Sequence, residues 1–215
     1  MPGTVGLKGS KGQVVFRSAH MSAYKAELRR WMRQRLATQT ATQRAAADTR
    51  ICENLQTFLQ MLRLRRLLAF APSGHEPNIR PVLEWVLQKG IRLAFPVGGA
   101  TEMFFREVPH LGFLRTGPWG ILEPDASCPT VTAEDLAESA VALVPGVAFC
   151  QDGLRLGRGQ GYYDRFLARY PTVYSVGVCY SVQLLEEVPC QRWDQRVQAL
   201  CTEQGVVPTA GLLNR

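Results

Sequence analysis

The sequence predicts an α/β fold, a single three-layer domain in which helices cover both faces of a mostly parallel, Rossmann-like sheet. Three observations predict it. The 215-residue chain is 46% hydrophobic and 20% charged, which suits one globular domain with a sizeable core. Short, fully apolar runs alternate with segments of helical periodicity. No apolar run approaches the roughly 18 residues that a membrane-spanning helix needs.

The predicted domain begins with two amphipathic helices, at 22–36 and 41–62. The first is predicted from an apolar stripe with a period near 3.6, made by Leu28, Trp31, Met32 and Leu36. The second helix repeats the same period. Both helices are therefore expected to pack their apolar faces on the sheet.

Strands and helices alternate after these two helices. The predicted strands are 67–71, 91–95, 103–107, 140–145, 173–178 and 199–202, and the predicted helices are 79–89, 164–170 and a short one at 182–186. Segment 112–124 contains three glycines and two prolines and is predicted to be a loop. Because ligands of such sheets sit at the carboxyl ends of strands, the segment after strand 140–145 is expected to carry the site.

The first 20 residues differ from the rest of the chain. They contain no acidic residue, and Lys8, Lys11 and Arg17 supply three of the seven excess positive charges. Residues 1–20 are predicted to be a leader, disordered or vector-derived, and residues 21–215 the domain. The remaining arginines are dispersed without an aromatic-interleaved basic stripe, so the composition predicts neither a nucleic-acid partner nor a membrane partner.

The six cysteines are scattered, and none forms a C-x-x-C pair. Cys150, Cys179 and Cys201 lie in apolar runs and are predicted to be small buried hydrophobic residues. This distribution of cysteines indicates a reduced, intracellular protein without a structural zinc site. The predicted location is cytoplasmic, with a mitochondrial location left open, and the predicted state is a monomer.

The segment 153–164, which reads GLRLGRGQGYYD, is the strongest functional signal in the chain. Gly157, Gly159 and Gly161 can bring backbone N–H groups close to a phosphate, and Arg155 and Arg158 can hold it with their guanidinium groups. The spacing matches neither G-x-x-x-x-G-K-[S/T] nor G-x-G-x-x-G. The alternative is a glycine-rich turn that carries an exposed arginine.

Further positions suggest ligands from their residue types. Lys25, Arg29 and Arg33 lie at i, i+4 and i+8 on the first helix, where an anion would relieve their repulsion; the alternative is a solvated basic face. Asp164 and Asp194 could help to hold Mg²⁺, and the alternatives are a helix N-terminal acid and a turn residue.

Two loop residues complete the candidate site. Glu76 follows a turn just beyond strand 67–71, where it could grip a polar ligand edge. Trp119 lies in the loop 112–124, where it could stack on a flat heterocycle. Surface capping and loop packing are the alternatives for these two residues.

Taken together, these residues resemble the 5-formyltetrahydrofolate cyclo-ligase family, also called 5,10-methenyltetrahydrofolate synthetase. The resemblance rests on VPGVAF at 144–149 and GLRLGRGQGYYDR at 153–165, and it continues through Trp193-Asp194 to CTE at 201–203. Upstream, Lys25 and Arg29 resemble the family's K-x-x-x-R, Glu76 its folate-gripping glutamate and Trp119 its pterin-side tryptophan. The resemblance covers nearly all of the chain from 21 to about 207.

The resemblance implies an ATP- and Mg²⁺-dependent enzyme that cyclises 5-formyltetrahydrofolate to 5,10-methenyltetrahydrofolate and releases ADP and phosphate. It implies Arg158 and Tyr162 as catalytic residues and Asp164 and Asp194 as the metal ligands. The implied ATP-binding residues are Lys25, Arg29, Arg155, Leu156, Gly157, Arg158, Gly159, Gln160, Gly161, Tyr162 and Tyr163. The implied folate-binding residues are Ala71, Glu76, Met103, Trp119, Arg158, Gly159, Gln160, Gly161 and Tyr162.

The sequence departs from the family pattern at two positions. Cys150 stands where the family usually has aspartate, and Gln160 stands where members have lysine or glycine. These departures keep open a non-catalytic nucleotide- or folate-binding module of the same fold. An RNA-associated protein that uses its arginines is the third hypothesis.

Overall fold

The structure, a computed structural model, describes residues 18–117, 120–137 and 139–209. Its α-helices are α1 (Ser18–Ala37), α2 (Ala41–Gln60), α3 (Arg80–Gln88), α4 (Ala133–Ala137) and α5 (Tyr162–Arg169). Helix α1 begins inside the predicted leader. Helix α2 begins at a capping box in which the Thr40 hydroxyl accepts from Gln43 N and the Gln43 side chain accepts from Thr40 N.

Twelve strands form one large sheet and two small ones within the described residues. The strands are β1 (Arg66–Leu68), β2 (Arg92–Gly98), β3 (Met103–Val108), β4 (Leu114–Thr116), β5 (Leu122–Pro124), β6 (Ala140–Val144), β7 (Ala148–Cys150), β8 (Arg155–Leu156), β9 (Tyr174–Val178), β10 (Leu184–Leu185), β11 (Ala199–Thr202) and β12 (Gly205–Pro208). The large sheet has the order β12-β11-β9-β6-β1-β2-β3. Its five inner strands are parallel, and only the two edge strands run antiparallel.

Alternation along the central strands puts apolar side chains on both faces of the large sheet. On β6, Val141 and Leu143 pack with α1–α3, whereas Ala142 and Val144 pack with residues of α4 and α5. All five residues of β6 are buried. This arrangement confirms the predicted three-layer α/β fold, because such a strand needs helices on both sides.

Several predicted elements differ from the observed ones. Trp31 is 44% exposed, so it lies beside the buried stripe of α1 and not in it. The predicted strand 67–71 is limited to β1, and segment 112–124 contains a 3-10 turn followed by the antiparallel pair β4 and β5. The predicted helix 182–186 is instead a 3-10 turn and the short strand β10, which pairs with β7, and the Gln183 side chain donates to the Gly146 and Val147 carbonyls. Elements α4, β7, β8 and β12 were not predicted.

Cysteine burial agrees with the sequence prediction. Cys150, Cys179 and Cys201 are buried free thiols, as are Cys52 and Cys128, and Cys190 is exposed. No helix among the described residues is both long and apolar enough to cross a bilayer.

Candidate active site

A cavity of about 1040 Å³ opens at the carboxyl ends of β1 and β6. The chain leaves β1 toward β2 on one side and leaves β6 toward β9 on the other, so these neighbouring strands form the topological switch point of the sheet. Phe70 and Ala71, which follow β1, line the cavity together with Pro145 and Gly146, which follow β6. Sheet topology therefore creates the opening, and the segments that follow these strands supply its walls.

The glycine-rich segment forms one wall of the cavity between β8 and α5. Gly159 has φ +116° and Gly161 has φ +66°, and Gly161 occupies the N-cap position of α5. Both angles lie in the left-handed region, which residues with a Cβ rarely adopt. The glycines are therefore needed for the backbone path, and the positive end of α5 lies beside this path.

Helix α1 supplies two cations to the same wall. Lys25 Nζ lies 2.5 Å from Asp194 Oδ2 and 3.2 Å from Gln191 Oε1, and Asp194 Oδ2 also accepts from Gln191 N at 2.8 Å. Arg29 Nε donates to the Gly157 carbonyl at 2.7 Å. Partial burial and the neighbouring Arg33 charge lower the pKa of Arg29. The i, i+4 pair therefore faces the glycine segment and is not a solvated basic face.

Arg155 is the most deeply buried cation of the cavity, with its side chain 2% exposed. Its Nη2 lies 3.0 Å from Asp164 Oδ1, an oxygen that also accepts from Gln195 N at 3.1 Å. Burial lowers the pKa of Arg155, and Asp164 opposes that shift. The guanidinium also lies 5.5 Å from the Tyr163 ring centroid, so Arg155 fixes the base of the glycine segment to α5.

Arg158 crosses the cavity from the glycine segment to the loop after β1. Its Nη2 lies 2.7 Å from Glu76 Oε1 and donates to Ser73 Oγ at 2.8 Å. The other oxygen of Glu76 accepts from Ser73 N at 3.0 Å. Burial raises the pKa of Glu76, while the Arg158 charge and the Ser73 hydrogen bonds oppose the shift. Arg158 lines the cavity, and nearly half of its side chain remains exposed.

The two tyrosines of the segment differ in role. The Tyr162 hydroxyl lines the cavity and donates to the Gly99 carbonyl at 2.9 Å, while Arg165 lies over its ring. The Tyr163 hydroxyl is buried without a hydrogen-bond partner among the described residues. Burial raises the pKa of Tyr163, so it is neutral at physiological pH.

A sequence profile of the 5-formyltetrahydrofolate cyclo-ligase family matches residues 21–203. This chain belongs to that family. A 5-formyltetrahydrofolate cyclo-ligase of Mycolicibacterium smegmatis is 32% identical over 164 residues, which cover 72% of this chain and 84% of the relative. A relative of the same name from Escherichia coli is 27% identical over 180 residues, covering 81% of this chain and 98% of that protein.

Two solved structures have the same fold as this family member. The NMR structure of Aquifex aeolicus 5,10-methenyltetrahydrofolate synthetase superimposes with a TM-score of 0.75 at 32% identity, covering 86% of this chain and 92% of that one. A 5,10-methenyltetrahydrofolate synthetase from Mycoplasma pneumoniae gives a TM-score of 0.68 at 22% identity, covering 83% and 98%, and shows the shared fold alone. The predicted family, fold class and enzyme class are confirmed.

The cavity of this family member brings together nearly all the predicted site residues. They are Lys25, Arg29, Ala71, Glu76, Met103, Arg155, Leu156, Gly157, Arg158, Gly159, Gln160, Gly161, Tyr162, Tyr163, Asp164 and Asp194. Trp119 lies outside the described residues. Of the two departures from the family pattern, Gln160 lines the cavity, whereas Cys150 is a buried thiol that donates to the Glu186 carbonyl and is not among the described lining residues.

Sequence reasoning missed several cavity residues. Among them are Ser73, Glu123, Gln191 and Gln195, all of which lie in the cavity wall. Gln191 and Gln195 flank Asp194 in the chain, so their proximity to it was the available signal. No local pattern marks Glu123, because the hairpin that carries it consists of two three-residue strands.

Asp164 and Asp194 could bind Mg²⁺ only if other ligands completed the coordination shell of the ion. Among the described residues, no group of three or more His, Cys, Asp and Glu side chains could hold a metal. Asp164 and Asp194 each use one oxygen for a cation and a backbone N–H, and within the described part of the chain the second oxygen of each accepts no hydrogen bond. Mg²⁺ commonly takes one or two carboxylates plus phosphate oxygens and water. The two aspartates therefore fit as part of such a set.

Proposed function

We propose that this chain catalyses the ATP- and Mg²⁺-dependent cyclisation of 5-formyltetrahydrofolate to 5,10-methenyltetrahydrofolate, with release of ADP and phosphate. The observation that carries the proposal is a single cavity in which a cation-rich glycine segment faces a wall of apolar side chains and carboxylates. A nucleotide triphosphate needs the first surface and a reduced folate the second. One cavity of about 1040 Å³ is large enough to align two such substrates.

ATP is proposed to lie along the glycine segment with its phosphates near α1. Lys25 and Arg29 reach this segment from one side, and Arg155 lies beneath it. Backbone N–H groups of Gly157, Gly159 and Gly161 are proposed to contact phosphate oxygens, as in other glycine-rich phosphate loops. The remaining segment residues from Leu156 to Tyr163 complete the nucleotide wall.

The folate is proposed to occupy the opposite wall, against Ala71, Glu76, Met103 and Trp119. Its formyl oxygen would then attack the γ-phosphorus beside Arg158 and Tyr162, breaking the bond to ADP and giving a phosphorylated iminium-like intermediate. N10 next attacks the formyl carbon and gives up its proton to the phosphate, which leaves with the former formyl oxygen. Arg158 is proposed to stabilise charge on the transferred phosphoryl group, and the Tyr162 hydroxyl to orient the formyl oxygen.

Asp164 and Asp194 are proposed to hold Mg²⁺, directly or through water. When bound, this ion would neutralise part of the phosphate charge. The chain's own contribution is the placement of these carboxylates by Arg155 and Lys25. The substrates are proposed to be the only partners of a cytoplasmic monomer.

The test is a coupled absorbance assay with ATP, Mg²⁺ and 5-formyltetrahydrofolate, in which the product appears as a near-ultraviolet chromophore. The expected result is ATP-dependent product formation that Arg158→Ala reduces by about 100-fold or more. Arg169→Ala is the matched control, because Arg169 lies on α5 in an exposed pair with Glu102. Folded protein that binds ATP and yields no product would refute the proposal and favour a non-catalytic module.

A further inference from the structure

The cavity contains four carboxylates, and one of them differs from the rest. Glu76, Asp164 and Asp194 each form an ion pair with a cation that also lines the cavity. Glu123 also lines the cavity, but it makes no ion pair with any residue that the structure describes. Its one hydrogen bond among those residues is from Gly98 N to Oε1, at 3.4 Å.

Arg115, which lies opposite Glu123 across the β4–β5 pair, does not neutralise it. The Arg115 guanidinium instead donates to the Gly112 carbonyl at 2.5 Å and lies 3.8 Å from Asp125 Oδ2. Among the described residues, the Glu123 carboxylate therefore has no cationic partner, and it lines the cavity where a ligand could reach it.

Glu123 lies next to a residue of the proposed reaction site. A Cβ built on Gly98 would lie 3.8 Å from both Glu123 Oε1 and the Tyr162 hydroxyl oxygen. These two oxygens therefore border the same small patch of cavity wall at the end of β2. A substrate held by Glu123 would have its neighbouring atoms near Tyr162.

Glu76, the other glutamate that lines the cavity, has little capacity left to bind a ligand. Glu76 receives Arg158 on one oxygen and Ser73 N and Oγ on the other. A carboxylate that is partly removed from water is costly unless donors replace its hydration. Among the residues that the structure describes, only the Gly98 N–H serves Glu123 in this way, so a bound molecule that brings two adjacent N–H groups would fit it.

We propose that Glu123 is a substrate-binding residue that accepts hydrogen bonds from the 2-amino group and the ring N3–H of the pterin. This inference rests on the proposed function, which makes a reduced folate the substrate. The two N–H groups project side by side, as in a guanidinium, and a carboxylate can accept both in a bidentate arrangement. Glu76 holds Arg158, while Glu123 holds the pyrimidine edge and sets the orientation of the ring.

The test is a cycle of binding measurements without ATP, by titration calorimetry. The ligands are 5-formyltetrahydrofolate and its analogue with a methyl group in place of the 2-amino group. The proteins are wild type, Glu123→Gln and the control Glu102→Gln, whose carboxylate is exposed in a surface ion pair. ATP affinity, measured on each variant, reports whether the fold is intact.

We expect Glu123→Gln to weaken 5-formyltetrahydrofolate binding by about 10- to 100-fold without a change in ATP affinity. The control Glu102→Gln should bind both ligands as the wild type does. The wild type should bind the 2-methyl analogue more weakly than 5-formyltetrahydrofolate by a similar factor. In Glu123→Gln the two ligands should differ much less in affinity, because the contact to the 2-amino group is already lost. Equal losses with the analogue in both proteins would overturn the proposal, as would unchanged folate affinity in Glu123→Gln. A wild type that binds no reduced folate at all would instead overturn the proposed function.

Discussion

Replacement of Asp194 by asparagine tests the buried ion pair that joins α1 to the loop before β11. Lys25 and Asp194 are separated by 169 positions in the chain, and their side chains are 11% and 9% exposed. Asparagine retains an oxygen that can accept from Gln191 N, so the main loss is the charge-assisted bond to Lys25. Such a bond contributes about 1.5–3 kcal/mol to stability. For a chain of this size, that corresponds to a fall in Tm of about 3–12 °C.

The assay is thermal and urea unfolding of the ligand-free protein. Glu102→Gln is the matched control, because it breaks a similar ion pair, of 2.7 Å, whose side chains are 60% and 63% exposed. An exposed pair contributes about 0–1 kcal/mol. If Asp194→Asn and Glu102→Gln shift the unfolding midpoint equally, burial does not strengthen the Lys25–Asp194 contact and the reasoning is wrong.

A double variant tests the same ion pair further. Removing one partner of a buried pair leaves the other charge uncompensated, whereas removing both avoids that cost. Lys25→Met combined with Asp194→Asn should therefore lose less stability than the sum of the two single losses. Strict additivity would indicate that the two side chains do not interact in solution.

Three further predictions concern the backbone, the thiols and pH. Gly161→Ala should lower the free energy of unfolding by about 1–2 kcal/mol, because φ at this position is +66°. Gly161→Asn should lower it less, since asparagine tolerates this conformation better. Urea unfolding measures both losses, and equal losses would exclude a backbone cause. A chromogenic disulfide reagent should label one thiol per native chain, that of Cys190. The other five cysteines are buried and should react only after denaturation. Rapid labelling of several native thiols would contradict the core described above. Burial raises the pKa of Glu76, so its carboxyl binds protons more tightly in the folded state. The unfolding free energy of the wild type, relative to Glu76→Gln, should therefore fall as pH rises from the usual glutamate pKa of 4.5 through the raised value, and a flat or rising difference would contradict this sign.

The sheet and the glycine wall could be predicted because their signals are local. An apolar run such as β6 needs cover on both faces wherever it lies in the chain, and glycine at every second position marks an unusual backbone path. The placement of the cations at 25 and 29 on one side of a helix was predictable from their i, i+4 spacing, whereas their pairing with Asp194 and the Gly157 carbonyl was not.

Pairings between distant elements could not be predicted from the sequence. The contact between Arg158 and Glu76 depends on how the loop after β1 approaches the glycine segment, which the sheet order decides. Glu123 was missed for a different reason. Strands of three residues give no period-2 pattern, and the glycines and prolines of segment 112–124 favour a loop prediction.

The side chains that line the cavity neutralise much of one another's charge. Lys25, Arg155 and Arg158 each have a carboxylate partner, and Arg29 has a carbonyl partner. These partners hold the cations in place, which would lower the ordering cost of binding the proposed ATP phosphates. On the proposed function, those phosphates compete with the carboxylates for the cations, and Mg²⁺ bound to Asp164 and Asp194 would release Arg155 and Lys25 to the phosphates. The ion pairs would thus favour the metal complex of ATP over ATP alone.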